Sequence, residues 1–533
     1  MFERKQFGWF LGRPSLSGGT VGWTGVVMLP DFSASVNTVA KLDAILSQRE
    51  IDGISALGCT SSENLIAALE PSIARKIAPK IIDFSLAMRV ASPRGDTQKS
   101  TRRTIDLLAE CISNERKMYA PELAIRLLEG RDEGTITFEE VDSILRSLLH
   151  RLAQRLRAAR ELRRYMGYEL PAHRVLLAQS SLPLLAACDE VAAIADDLSS
   201  KQRSSRVELV TKHGLDPADF IASFEARRTF AELHLGVSRD RLTLGEFREL
   251  LEERPRSDKA PDLVASFLKD DSSRRSMLTL TTTSGCQVVY DSIGTSTGRI
   301  VMRSPEVQWL EKKYRKHILP PDGHELRYLD YSCFEPTILA AVSGDTELLA
   351  ACASGIYESV AEWLGFDGTS SRDLAKAILL RFIYGQAQDK LVATLSTATR
   401  LEPEDARSRL EDLRRRLAKA FDFRSELAAR ARATGYMETR IGNRCPIEEG
   451  GEYKALSHYL QGTGALIFKR ALIDIFGDVG VARLVVPMHD AFLCAFPTES
   501  LEYCSRQAVA AMRNAFFLIV GVDLARVTVR GEF

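Results

Sequence analysis

The sequence predicts an α+β fold: a sheet-based domain interrupted by a helical subdomain and preceded by a long helical stretch. Three observations carry this. From residue 276 onward, short β-like runs alternate with helical stretches. Strands separated by long helical insertions read as one sheet that the chain leaves and re-enters. Residues 139–165 repeat leucine and isoleucine at helical spacing. The 533 residues are 45% apolar and 27% charged, which is globular rather than disordered composition.

Taken in order, residues 1–138 stay unassigned. Ser15–Gly25 is rich in Gly, Ser and Thr and reads as loop. No Walker-type phosphate loop occurs there, so that route to a nucleotide is unsupported. Lys80–Val90 shows no clear alternation. From 139, Ile144, Leu145, Leu148, Leu149, Leu152, Leu156 and Leu162 line one helical face. The other faces carry Arg146, Arg151, Arg155, Arg157, Arg160, Arg163 and Arg164. That basic surface is either simply solvated or lies along a phosphate backbone. Helical patterning continues to about 275, broken near Gly214–Pro217 and Pro255–Pro261. β-like runs then occupy Met277–Thr283, Glu325–Tyr331, Arg483–Val486, Phe492–Phe496 and Ala525–Arg530. Helical stretches fill 335–342, 356–364, 371–385, 403–433 and 452–475.

Charge and cysteine content bound the function. The 71 basic and 71 acidic residues cancel, so contact with a polyanion must come from local patches. Nine cysteines, an odd number with no CxxC, argue against a disulfide framework or zinc ribbon and for a reducing, cytoplasmic setting. No apolar run reaches about 18 residues, so no membrane span is expected. Met1–Arg13 has no signal-peptide core.

Three segments carry chemistry. In Leu326–Ala341 an apolar strand ends in Asp330 and a helix follows, with Pro336 in its first turn. Alone, Asp330 reads equally as a helix N-cap. In Arg483–Phe496 two β-like runs flank His489 and Asp490, which sit at a hairpin turn where Asp is commonplace. In Ser371–Gln386, Arg372, Lys376, Leu380 and Tyr384 are four apart. Successive members drift only about 40° around a helix and share one face. Two cations one turn apart repel unless an anion lies between them. Together, two strand-end carboxylates and an anion-binding helix suit two-metal phosphoryl transfer. Asp330 and Asp490 would hold two Mg²⁺ ions, and Arg372 and Lys376 would neutralise phosphate charge.

These segments resemble the motifs of family A, the polymerase I-like DNA polymerases, over about residues 276–533. Asp330-Tyr331-Ser332-Cys333-Phe334-Glu335 resembles motif A. Arg372, Lys376, Tyr384 and Gly385 resemble motif B, and His489-Asp490 the start of motif C. Thr297-Gly298-Arg299 with Ser304–Gln308, Gly435–Thr439 with Gly442-Asn443-Arg444, and Gln461-Gly462-Thr463 resemble three further segments. Their order is the family's order.

The resemblance implies a right-hand polymerase. The palm, an antiparallel sheet, would be 276–345 and 435–533, the fingers 346–434, and a thumb-like helical region 139–275. Residues 1–138 would be a degenerate exonuclease-like region. It further implies catalysis by Asp330, Asp490 and Lys376, with Asp330, Asp490 and the Tyr331 carbonyl as metal ligands. The ions would be two Mg²⁺, with Mn²⁺ as the alternative. Arg372, Lys376, Leu380, Tyr384, Glu335 and Tyr331 would bind the nucleotide. Arg299, Gln308, Arg444, Gln461 and His489 would bind primer–template DNA. The implied partners are that DNA and dNTPs, with no membrane.

The departures are Ala491 where motif C usually has Glu, Leu380 for an aromatic, Arg381 for Gly, Glu306 for Asn, and Ser457 for Asn. Residues 1–140 show no DxE signature, so no proofreading exonuclease is expected, and the chain is too short for a 5′-nuclease domain as well. Two other readings remain open: a single-subunit RNA polymerase or primase-like enzyme, and a catalytically inactive nucleic-acid-binding homologue. The bulk of Glu335 weighs against the first, and both aspartates weigh against the second.

Overall fold

The Gly-, Ser- and Thr-rich stretch at 15–25, read from composition as loop, is the meeting of two long strands. β1 (Phe7–Ser17) and β2 (Thr20–Leu29) pair antiparallel from Trp9↔Met28 to Ser17↔Thr20. Thr20, Val21, Trp23, Thr24, Val26 and Val27 favour extended backbone and outweigh the glycines between them. The computed structural model describes residues 7–17, 20–29, 32–36 and 55–531, apart from 61, 68, 93–96, 117–120, 130–136, 238–241, 254–258, 282–284, 367–370, 387, 478–481 and 524–525.

β3 (Phe32–Val36) adds antiparallel to β2, while β4 (Ala56–Cys59) and β5 (Ile81–Asp83) add parallel to β1, giving the order β3-β2-β1-β4-β5. A helix, α1 (Ser62–Ala67), follows β4. β5 runs straight into α2 (Phe84–Ala91), whose N-terminus Asp83 caps through Leu86 N–H at 2.9 Å. That switch from strand to helix inside Lys80–Val90 is why the segment lacks one period.

α3 (Thr97–Arg116) and α4 (Phe138–Ala158) complete a core with the sheet. The leucine stripe of α4, including Ile144, Leu148 and Leu152, is fully buried with Trp9, Phe84 and Leu108. The chain forms two compact units, one from 1–182, 289–301 and 323–532, the other from 183–288 and 302–322. The expected helical region 139–275 therefore divides. Its first part, through α5 (Leu170–Ser180), belongs with the N-terminal sheet because the stripe finds its partner core there.

In the second unit, α6 (Cys188–Glu208) packs along α7 (Lys259–Thr279), and Phe220, Phe230 and Phe247 fill a core with Val264 and Leu268. The β-like run read at 277–283 is helical through Thr279, with Ser273, Ser276 and Met277 buried at helical spacing, and 282–284 lie outside the described residues.

The first unit resumes with β6 (His324–Tyr331), α8 (Phe334–Ser343), α9 (Ile356–Trp363) and α10 (Ser371–Ile383). The helical pattern at 403–433 is two helices, Pro403–Arg416 and Ala418–Thr434, broken at Leu417. A hairpin of β7 (Tyr436–Thr439) and β8 (Gly442–Pro446) leads into α11 (Ala455–Phe476). Then come β9 (Arg483–Pro487), β10 (Ala491–Pro497), α12 (Leu501–Val520) and β11 (Val527–Arg530). β9-β10-β6-β11 is a four-stranded, wholly antiparallel sheet. Helices cover one face: Phe468 of α11 stacks on Phe492, and Tyr331 donates to the Met512 carbonyl of α12 at 2.7 Å. Period-two alternation buries Leu329 and Tyr331 there and turns Asp330 to the other face. Among the described residues no helix is long and apolar enough to cross a membrane, and all nine cysteines are free thiols.

Candidate active site

Asp330 stands on β6, paired across to Ala491 on β10 and to Thr528 on β11. It is a strand residue, not a helix cap; the residue before α8 is Cys333, in left-handed backbone at φ 53°. Asp490 ends the β9–β10 turn, which the Met488 N–H closes onto Ala491 O at 2.7 Å. Tyr331 N–H binds Asp490 O at 3.0 Å, so register sets the two carboxylates on neighbouring strands, one residue apart. Burial pushes the Asp330 pKa up to about 6, with the Asp490 charge adding to the rise and Arg530 and Lys376 opposing it. Burial pushes Asp490 up too, against its own backbone N–H, Arg299 and Lys376. Neither carboxylate has an ion-pair partner among the described residues. Two oxygen donors held together against their repulsion fit a hard divalent cation. Among the described residues no group of three or more His, Cys, Asp or Glu side chains is placed to hold a metal ion. Ala491, fully buried, stands beside the pair where motif C usually supplies a third carboxylate.

α10 delivers the cations. Ala375, Ile378, Leu379, Phe382 and Ile383 are buried, which turns Arg372, Lys376 and Leu380 outward on one face. The three line a cleft of about 860 Å³ together with Arg299, Asp330, Tyr331, Glu335, His489 and Asp490. Arg372 is held by Glu358 at 2.8 Å and lies 5.2 Å from the Tyr357 ring centroid. Tyr384, just past the helix, donates to Glu335, whose other oxygen accepts from Arg299 at 2.7 Å. Burial raises the Glu335 pKa, with Arg299 pulling it down and Asp490 adding to the rise. Burial lowers His489 to about 4, with Arg299 adding, so its ring is neutral at pH 7.

The Thr297–Arg299 loop is braced by buried charge. Glu169 accepts from both Lys469 and Arg164, and Arg164 Nε reaches Glu161 at 2.6 Å. Glu161 also accepts the Asn443 and Arg444 N–H groups at 2.9 and 3.2 Å, and the Asn443 side chain donates to Thr297 O at 2.9 Å. All four ionic side chains are at most 4% exposed. Burial works against the Arg164 charge, but Glu169 and Glu161 outweigh it and raise its pKa. Gly462 on α11 permits this closeness: a Cβ there would lie 2.8 Å from Thr439 and 2.9 Å from the Asn443 amide.

Three residues expected at the primer–template do not line the cleft. Arg444 lies on a separate small cavity, bonded to Glu438 and over the Tyr436 ring. Gln461 bonds Ser457 at 3.2 Å. Gln308 belongs to the second unit, where its side chain accepts the Met302 N–H at 2.7 Å. The sequence reading missed Tyr357, Glu358, Arg526, Thr528 and Arg530, all on the cleft. The alternation Arg526, Thr528, Arg530 was the available signal; Glu358, fourteen residues before Arg372, gave none.

Residues 273–530 match the sequence model of DNA polymerase family A. The thermostable DNA polymerase I of Thermus aquaticus is 26% identical over 261 residues, 44% of this chain and 31% of that protein. The DNA polymerase of Mycobacterium phage D29 is 23% identical over 230 residues, 43% of this chain and 37% of that one. This chain thus aligns with about a third of these relatives' length. Among solved structures, the POL domain of Pol1 from M. smegmatis, in complex with DNA primer-template and dNTP, matches 99% of this chain and 95% of its own, with a TM-score of 0.70 and 17% identity. The fold is that of a right-hand polymerase.

Proposed function

We propose, from the match of residues 273–530 to DNA polymerase family A, that the chain is a template-directed DNA polymerase that adds dNTPs to a primer 3′-hydroxyl. The observation that carries the proposal is the cross-strand pair Asp330 and Asp490 sharing one cleft with Arg372 and Lys376. The two aspartates and the Tyr331 carbonyl would hold Mg²⁺, with Mn²⁺ as the alternative. Ions held by these groups would supply Lewis-acid activation of the attacking oxygen and charge stabilisation of the leaving pyrophosphate. Lys376 holds a proton at Nζ for that pyrophosphate, and Arg372 exchanges Glu358 for the triphosphate. Glu335, fixed by Arg299 and Tyr384, fills the space a ribose 2′-hydroxyl would need, which favours dNTPs over NTPs. Leu380 and Tyr384 flank the incoming nucleotide. Arg299 and the neutral His489 read the primer end, while Gln308, Gln461 and Arg444 serve the primer–template duplex.

We assign no proofreading activity to the N-terminal sheet. Its five strands carry one carboxylate, Asp83, and that group is committed to the Ser62 hydroxyl at 2.6 Å and to the α2 cap. The free thiols support a reducing compartment, the cytoplasm.

The test is primer extension by the purified chain on DNA and RNA templates, offered dNTPs or NTPs with Mg²⁺. Asp330→Asn and Asp490→Asn should each abolish extension while leaving primer–template binding largely intact. Near wild-type extension by either variant, or equal use of NTPs by the wild type, refutes the reading. Trimming of a mismatched 3′ end in the absence of dNTPs would refute the assignment on proofreading.

A further inference from the structure

The last strand of the sheet brings charge into the cleft that neither the two-aspartate site nor α10 accounts for. β11 pairs antiparallel with β6 so that Thr528 lies opposite Asp330 and Arg530 opposite Tyr328. With a side-chain period of two, Arg526, Thr528 and Arg530 share the face that carries Asp330. All three line the same cleft as Asp330, Asp490 and Lys376. The strand's start is pinned to the turn after Asp330. Ser332 N–H donates to Arg526 O at 2.8 Å, and the Ser332 and Thr528 hydroxyls bond at 2.7 Å.

Both arginines are exposed, and among the described residues neither guanidinium has an ion-pair or hydrogen-bond partner. Two other arginines of the cleft are paired, Arg299 with Glu335 and Arg372 with Glu358. Across β6 the matching position on β10 is Ala491, so the sheet offers the cleft no third carboxylate to balance the two cations. Two unpartnered guanidiniums on the sheet face that carries Asp330 suit a multiply charged anion.

We propose that Arg526 and Arg530 form a second phosphate-binding row, taking the β- and γ-phosphates of the incoming nucleoside triphosphate and the pyrophosphate that leaves. The proposal rests on the reading of the cleft as a nucleotidyl-transfer site. α10 supplies cations from the helical side and β11 supplies them from the sheet. The row also explains how a site short of one carboxylate tolerates the charge of its substrate: guanidiniums carry part of the load that divalent ions otherwise bear.

The experiment uses the full chain. Inorganic pyrophosphate with Mg²⁺ is titrated calorimetrically into the wild type, Arg526→Ala/Arg530→Ala and Arg526→Lys/Arg530→Lys, and binding of a labelled primer–template is followed by anisotropy. Arg526→Ala/Arg530→Ala should weaken pyrophosphate about a hundredfold, about tenfold for each charge-assisted hydrogen bond lost. The lysine pair should recover part of that, since the charge remains and the fork is lost. Primer–template affinity should change less than twofold. Pyrophosphate affinity within twofold of wild type in both double variants overturns the proposal. So does a loss of primer–template affinity as large as the loss for pyrophosphate, because the row would then grip the DNA backbone. The pyrophosphate arm needs no extension: a wild type that extends no primer yet binds pyrophosphate through these arginines defeats the polymerase reading and leaves the row standing. A wild type that extends primers while both variants bind pyrophosphate normally does the reverse.

Discussion

Lys469→Met removes one cation from the buried quartet behind the Thr297–Arg299 loop. In the wild type, Glu161 and Glu169 are balanced by Arg164 and Lys469, each at most 4% exposed. The variant leaves one uncompensated negative charge in that interior. Removing one partner of a buried pair costs about 3–5 kcal/mol. At 1.36 kcal/mol per factor of ten, that is a population shift of about a hundredfold or more. Lys469→Met/Glu169→Gln restores the balance, because Arg164 keeps Glu161 at 2.6 Å. Its loss should fall to about 1–3 kcal/mol, the worth of hydrogen bonds to a charged group.

A chain with two compact units has no single unfolding free energy, so the assay is local. Hydrogen exchange should be read at the Asn443 and Arg444 amides, which Glu161 accepts. Exchange there should quicken about a hundredfold in Lys469→Met, and the double variant should lie nearer the wild type. Arg299 should lose its fixed approach to Glu335, raising the KM for primer–template. Unchanged protection in the single variant, or a double variant worse than the single, would refute the charge-balance argument.

Three further outcomes follow from the site. Glu335→Ala should increase ribonucleotide incorporation about tenfold or more, measured as the ratio of kcat/KM for dNTP and NTP; an unchanged ratio would remove Glu335 from sugar selection. Ala491→Glu should lower the Mg²⁺ concentration needed for half-maximal extension, since losing a carboxylate beside the ligands costs about 10–100-fold in affinity or activity; an unaltered Mg²⁺ titration would mean the site is compensated elsewhere. Because Asp330 titrates near 6 and only its ionised form ligates a cation, extension at limiting Mg²⁺ should fall as pH drops through about 6, with the midpoint moving lower as Mg²⁺ rises; a midpoint that ignores Mg²⁺ would contradict the assignment.

The candidate site was legible because the chemistry proposed for it demands particular residues at particular spacings. Arg372, Lys376 and Leu380 had to share a helix face, and the apolar remainder of α10 decided which face that was. Asp330 and Asp490 ended apolar runs, and strand pairing did the rest. What could not be read was long-range pairing. Nothing in Arg526–Arg530 announces that β11 will lie against β6 some 200 residues earlier in the chain, and nothing near Glu161 announces Asn443. The N-terminal sheet was opaque for another reason: glycines interrupt each of its first two strands, and its fifth spans three residues before a helix begins. Composition there imitates loop, and only the ladder between Trp9 and Ser17 and its partner strand resolves it.

That sheet raises the question of what a nearly acid-free scaffold contributes. Three buried polar links join the residues packed on it to the Thr297–Arg299 loop. Arg89 of α2 pairs with Asp291 at 2.8 Å and donates to Ile293 O, fixing the start of the segment that ends in Arg299. His173 of α5 joins the Ser62 hydroxyl at 2.9 Å to the Ser292 hydroxyl at 3.1 Å. Glu161 holds the Asn443 hairpin and, through it, Thr297. Isolated buried polar groups cost stability unless partnered, so their convergence on residues 291–299 couples the fold of the sheet to the placement of Arg299. Asp83, the one carboxylate on the sheet's strands, belongs to the same network, since it accepts from the Ser62 hydroxyl that meets His173. The sheet and the helices packed on it are thereby tied to residues 291–299, the segment that ends in Arg299.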